Sequence, residues 1–275
     1  MGSKHWDNER AEAYGEFEYQ FPTKTLRGKT IVVAGGSGGL GAATAVLLAA
    51  EGADLILGYR KNRERAEQLA RTLREKYSCQ ITLVAGDLAA FETRAAYTVA
   101  AVGSGSPFLG AAIFPGDPAR VSFDSLNLET LSASLESNYA GPVLLAKALG
   151  ELLEAGKHGG SVVLLSTMQA LGVFPSSLNY APPKAALVHA ARILAQQWQR
   201  VRVNVVAPGV TMAGMAATSI QAGKYDRYIE NSAIERFGHP EDIARAVRFF
   251  LEPDSYVTGQ VLTVDGGLTL RRDRG

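Results

Sequence analysis

The sequence holds a single cysteine, Cys79, in 275 residues. An intramolecular disulfide is therefore excluded, and the fold must rest on its apolar core, as expected of a protein in a reducing compartment; we expect the cytoplasm. Charge of one sign is also missing, since 28 Lys and Arg stand against 27 Asp and Glu. No overall field would hold such a chain on nucleic acid or on an anionic membrane, so small molecules are the expected partners. Histidine is scarce: His5, His158, His189 and His239 show no paired spacing with acids or with Cys79, and no metal site is expected. No basic stretch leading into an apolar core opens the sequence, and Trp6 stands where myristoylation needs Ser or Thr, so neither a secretory signal nor a lipid anchor is expected. The one long uncharged run, Ile31 to Ala50, contains Gly35, Gly36, Gly38, Gly39 and Gly41. A strand, a turn and a helix explain it better than a membrane span.

What is present is a chain 47% hydrophobic and 20% charged, which excludes wholesale disorder. Seven short apolar runs read as strands: 31–34, 54–57, 81–85, 109–114, 161–165, 201–206 and 260–264. Stretches of helical period alternate with them, beginning near Leu40, Asn62, Phe91, Leu128, Pro182 and Pro240. Apolar runs of strand length separated by helices are the pattern of a parallel sheet buried on both faces, a doubly wound α/β fold. Pro240-Glu241-Asp242 is a helix start, because Pro fits the first turn and acids favour the positive end of the helix dipole. Residues 1–27, with Trp6, Tyr14, Phe17, Tyr19 and Phe21 but no period, read as an arm; 28–270 as one domain; 271–275 as a charged tail.

The glycine-rich stretch from Gly35 to Gly41 falls between the first strand and the first helix. Glycines there let the main chain approach a pyrophosphate, while the free amides of the new helix face the anion. At the end of the second strand a carboxylate would hold both ribose hydroxyls of NAD, but the sequence reads Gly58-Tyr59-Arg60-Lys61. A guanidinium at Arg60, with Lys61 beside it, suits the 2′-phosphate of NADP(H), which is the expected cofactor; the alternative is that the two cations only begin a solvated helix. Asp87, after the third strand, has two readings: an acceptor for the adenine amino group, or a helix cap.

Tyr180 and Lys184 are four residues apart, one helical turn, and so share a face. A nearby ammonium lowers a phenol's pKa from about 10 toward the range of an acid-base catalyst. Ser166, at the carboxyl end of an apolar strand, can donate a hydrogen bond to a substrate oxygen at the edge where doubly wound sheets bind ligands. The glycine turn, Asn138, Ser166, Tyr180, Lys184, Pro208-Gly209 and Val264-Asp265-Gly266-Gly267 together resemble the single-domain short-chain dehydrogenase/reductases, over about residues 29–267.

That resemblance implies a Rossmann-type domain with a seven-stranded parallel sheet. It makes Tyr180 the general acid-base, Lys184 the residue that holds the nicotinamide ribose, Ser166 the group that polarises the carbonyl and Asn138 the holder of a relay water. Gly35, Ser37, Gly39, Leu40 and Gly41 would surround the pyrophosphate, Asp87 and Leu88 the adenine, and Gly116, Pro208, Gly209 and Thr211 the nicotinamide side. It further implies reduction of a carbonyl, free or carried as a 3-oxoacyl thioester on an acyl carrier, with sugars, steroids and polyketides as other candidates. A homotetramer or dimer would form through the helices near Leu128 and Pro182 and through 259–270. The rival reading is a protein that senses NADPH without turnover.

Three departures from the family pattern stand out. Ile113-Phe114-Pro115-Gly116 replaces the usual two asparagines, alanine and glycine. Ala213 occupies a position where threonine often contacts the carboxamide, which leaves Thr211 or main chain. Pro182-Pro183 is tolerable only close to a helix start. Met212 and Met215 fall in a segment, 212–237, read as a lid over the substrate; for the two methionines the alternative is filling a gap in the core.

Overall fold

The seven apolar runs form one parallel sheet in the order β3-β2-β1-β4-β5-β6-β7. The computed structural model describes residues 23–174 and 176–271, apart from the side chain of Met215. The arm's aromatic residues Trp6 to Phe21, the tail beyond Arg271 and the Met215 side chain lie outside the described residues. The strands are β1 (Thr30–Ala34), β2 (Asp54–Tyr59), β3 (Ile81–Ala85), β4 (Phe108–Ile113), β5 (Gly160–Leu165), β6 (Val201–Pro208) and β7 (Val261–Val264). Each lies within two residues of its predicted bounds.

The long helices are α1 (Gly39–Ala50), α2 (Arg63–Tyr77), α3 (Phe91–Val102), α4 (Leu128–Leu135), α5 (Gly141–Ala155), α6 (Ala181–Gln197) and, after the short α7 (Ala217–Gln221) and α8 (Arg227–Glu230), α9 (Pro240–Leu251). A last short helix, α10, covers Leu268–Arg271. Two cores result, one on each face of the sheet. Ala45 and Leu48 of α1, Leu73 of α2 and Ile243, Val247 and Phe250 of α9 pack on one face. Tyr97 of α3, Leu145 and Leu149 of α5 and Leu187 and Ala191 of α6 pack on the other. Every residue of β1 and β5 is buried, as strands covered on both sides must be.

Local chemistry sets the helix ends. The Asn62 side chain accepts from Arg65 N (2.9 Å) at the start of α2, and Ser78 closes that helix in the left-handed region (φ 54°). Pro240 begins α9, where His239 N donates to the Asp242 carboxylate (2.8 Å). Ahead of β1, Leu26 is fully buried. Arg248 donates to Thr25 Oγ1 (2.8 Å) and pairs with Glu51 (2.5 Å) and Glu252 (2.9 Å), so 23–27 is tied to α1 and α9.

The chain runs β1-β2-β3 in one direction and then returns to place β4 on the other side of β1. This reversal opens a crevice beyond the carboxyl ends of β1 and β4. Gly35 follows β1 there, and Phe114-Pro115-Gly116 follows β4. Among the described residues no helix is long and apolar enough to cross a membrane, and no cluster of three or more His, Cys, Asp or Glu is placed to hold a metal.

Candidate active site

The crevice is a cavity of about 460 Å³. At one end its wall is backbone. Gly35 takes a positive φ of 75°, and a Cβ on Gly41 would fall 2.3 Å from the Gly35 carbonyl oxygen, so the turn from β1 into α1 closes only with glycine at both positions. Gly38 stands at the N-cap without a side-chain acceptor, and the first turn of α1 lines the cavity through Gly39, Leu40 and Gly41. A cradle that a Cβ would fill, at the positive end of a helix, fits a pyrophosphate. The Ala213-Gly214 main chain comes down on it: a Cβ on Gly39 would lie 2.7 Å from Gly214 N.

Beyond the cradle, Arg60 follows β2 and donates to Asp87 Oδ2 (3.1 Å), both side chains about half exposed. The other Asp87 oxygen accepts from Ala89 N (3.1 Å). Asp87 thus caps the turn into α3 while it faces the cavity with Leu88. Lys61 is exposed and does not line the cavity.

At the other end the wall is side chains. Ser166 follows β5, and its hydroxyl donates to the Lys184 carbonyl oxygen (2.9 Å). Tyr180 precedes the first residue of α6, with Pro182 and Pro183 inside the first turn, where missing N–H groups cost nothing. Tyr180 and Lys184 accordingly both face the cavity one turn apart. Lys184 is almost wholly buried, and its ammonium donates to Leu165 O (2.9 Å). Burial lowers its pKa to about 8. The Tyr180 phenol is pushed up to about 12 by burial, against a smaller lowering from the Thr167 side chain. The lowering of the phenol by Lys184 expected from sequence is not found: burial raises the phenol and lowers the ammonium, because desolvation disfavours the charged form of both groups.

Asn138 sits in a π-helical turn, Glu136–Ala140, that joins α4 to α5. It is fully buried behind the cavity wall, accepts from Asp117 N (3.0 Å) and donates to Ser134 Oγ (3.2 Å). A Cβ on Gly116 would meet Asn138 Oδ1 at 2.7 Å and Lys184 Nζ at 3.0 Å, so the β4 loop packs directly on this pair. Ile113 is core, and the bond across the sheet at this point is Phe114 N to Ala34 O (3.0 Å). Pro208, Gly209 and Thr211 line the adjoining wall, where the Thr211 hydroxyl donates to Gly209 O (3.2 Å).

Of the catalytic and cofactor-binding residues expected from sequence, all but Lys61 and Asn138 line this one cavity, and Met212 of the expected lid does not. Several were missed: Thr167 beside Tyr180, Gln169 with its amide oxygen held by the Ser177 hydroxyl (2.5 Å), Arg120 and Lys224 at the rim, and Tyr97. Tyr97 sits in an apolar periodic stretch, where sequence reads core, and Thr167 in the polar turn after β5, where composition does not set it apart from its neighbours.

A doubly wound sheet, a glycine cradle at its switch point and a tyrosine-lysine pair on the facing helix define a nicotinamide-dinucleotide oxidoreductase. The family model described as Enoyl-(Acyl carrier protein) reductase matches residues 34–269, and the chain belongs to the short-chain dehydrogenase/reductase family. Carbonyl reductase family member 4 of Danio rerio is 32% identical over 249 residues, covering 87% of this chain and 97% of that protein. A structure of 7α-hydroxysteroid dehydrogenase complexed with NADH and 7-oxo glycochenodeoxycholic acid is similar with a TM-score of 0.83 and 25% identity, over 90% of this chain and 98% of that one. A structure of L-sorbose reductase from Gluconobacter frateurii, complexed with NADPH and L-sorbose, gives 0.79 and 26% over 89% and 98%. The protein is an NAD(P)-dependent dehydrogenase/reductase acting on CH-OH groups.

Proposed function

We propose that the protein prefers NADP(H) and interconverts a ketone and a secondary alcohol, acting in the cell as a carbonyl reductase. The observation that carries this reading is that the glycine cradle, Arg60 and the Ser166, Tyr180 and Lys184 side chains face one cavity. The dinucleotide, when bound, supplies or accepts the hydride. Gly35, Ser37, Gly39, Leu40 and Gly41 hold its pyrophosphate, Asp87 and Leu88 its adenine, and Arg60 its 2′-phosphate. Gly116, Pro208, Gly209 and Thr211 border the nicotinamide. Lys184, anchored on Leu165 O, reaches the nicotinamide ribose. Tyr180 donates a proton to the carbonyl oxygen as the alcohol forms and takes it back in the reverse direction, while Ser166 swings from the Lys184 carbonyl to polarise the same oxygen. Asn138 orders the Asp117 loop and a relay water behind Lys184.

The preferred substrate in this reading is a 3-oxoacyl thioester or a related free ketone. The test is fluorescence titration with NADPH and NADH, then absorbance assays against 3-oxoacyl thioesters, 2-enoyl thioesters, ketosteroids and ketoses. Tighter NADPH binding, with oxidation by a carbonyl compound, is the expected result. NADH preference would overturn the role of Arg60, and turnover of enoyl substrates alone would overturn carbonyl reduction.

The same proposal extends to a cytoplasmic homo-oligomer, a tetramer or dimer. Leu128, Leu131 and Leu135 on α4 and Ile193 on α6 are exposed, as are Leu262 and Leu270 near β7. Apolar side chains grouped on helix faces need cover. Light scattering at working concentration should give two or four times the 29.2 kDa chain mass; a monomer would reject the assembly.

A further inference from the structure

We infer that the Tyr97 hydroxyl is a hydrogen-bond donor to the adenosine half of the bound dinucleotide; the inference rests on the cofactor reading above. Tyr97 lies in the second turn of α3, whose first turn follows Asp87 and Leu88 at the carboxyl edge of the sheet. Long side chains on a helix lean toward its N-terminus, so the phenol rises toward that edge. It ends beside Gly58 of β2. A Cβ on Gly58 would stand 1.6 Å from the Tyr97 hydroxyl and 3.1 Å from Gly35 N, so the phenol fills the volume of an absent side chain next to the first glycine of the cradle.

Tyr97 is 2% exposed, yet its side chain reaches the cavity wall alongside Gly35, Tyr59, Arg60, Gly86 and Asp87. Its hydroxyl makes no hydrogen bond to any described residue, although a buried tyrosine oxygen ordinarily has a partner. The hydroxyl has no partner among the described residues and opens onto the end of the cavity where Arg60 and Asp87 mark the adenosine. Burial raises its pKa above the ordinary phenol value, so it keeps its proton and serves as a donor. Adenosine offers matching acceptors in its ribose oxygens and ring nitrogens. A phenylalanine would fill the core beneath Gly58 equally well, and only the hydroxyl distinguishes binding from packing.

Calorimetric titration of wild type and Tyr97→Phe with ADP-ribose and with reduced nicotinamide mononucleotide, together with thermal melts, tests this. We expect ADP-ribose to bind about fivefold more weakly to the variant, as for loss of one neutral hydrogen bond, with the mononucleotide unchanged and the melting temperature close to wild type. Equal ADP-ribose affinity in the two proteins would overturn the inference and leave the cofactor reading intact. Equal weakening of both ligands would overturn it too, since that marks a structural role. A wild type that binds neither NADPH, NADH nor ADP-ribose would overturn the cofactor reading and this inference together.

Discussion

At the glycine-rich turn the cavity wall is main chain, and its shape depends on side chains that are missing: a single methyl on Gly41 collides with the Gly35 carbonyl. Across the cavity the wall is made of ionisable groups held out of water, with the Lys184 pKa down to about 8 and the Tyr180 pKa up to about 12. The binding end is therefore fixed by backbone geometry at little electrostatic cost. The reacting end carries buried charge that opposes folding, and is retained for what it does there. Substitutions at the two ends should fail in different ways.

The largest contrast is between Gly116→Ala and Gly41→Ala. The first drives a methyl into Asn138 and Lys184, and turnover should fall about a hundredfold, as for an ångström-scale misplacement of catalytic groups, with NADPH affinity largely kept. The second should weaken NADPH by at least about tenfold, equivalent to 1.4 kcal/mol, in a fluorescence titration. Swapped outcomes would break the division between the two ends.

Next is Lys184→Met. In the unfolded chain the ammonium keeps its proton up to its ordinary 10.5, but in the folded chain only up to about 8. Between these values the unfolded state holds the extra proton, so stability rises with pH, and below pH 8 the buried charge costs on the order of 3 kcal/mol. The variant should melt several degrees higher than wild type at pH 7 while losing turnover, and the gap should narrow from pH 8 to 10.5. A lower melting temperature at pH 7 would contradict the account of Lys184 as a destabilising functional group.

Smaller effects are expected at the adenosine end. Arg60→Ala should weaken NADPH by about tenfold with little change for NADH, the scale of one exposed charge-assisted contact. Asp87→Asn releases the guanidinium from its 3.1 Å pairing and removes a like charge from the 2′-phosphate. NADPH affinity should then rise by about twofold to threefold, since exposed ion pairs are weak. An unchanged NADPH to NADH ratio in both variants would remove Arg60 from cofactor choice.

Much of this architecture was legible in the sequence because it is written in periodicity and in glycine. The seven strands and the starts of α1, α3, α4, α6 and α9 follow from apolar runs and capping residues, and the cradle follows from glycines placed between a strand and a helix. The π-helical turn that presents Asn138 was not legible, since an inserted residue inside a helix leaves no change of composition. Tyr97 and Thr167 were hidden for another reason. Tyr97 satisfies the apolar pattern of α3 and Thr167 is one polar residue among several after β5, so only the missing side chain at Gly58, or the approach of Tyr180, gives each hydroxyl a use. The directions of the Tyr180 and Lys184 pKa shifts were equally out of reach, because spacing shows that two groups share a face but not how much water each loses.

The most direct test of the central claim is NADPH-dependent carbonyl reduction by wild type and Tyr180→Phe, measured together with NADPH affinity. The account predicts a loss of more than about a hundredfold in turnover with affinity unchanged, as for removal of a proton-transfer group. Equal turnover in the two proteins would contradict it.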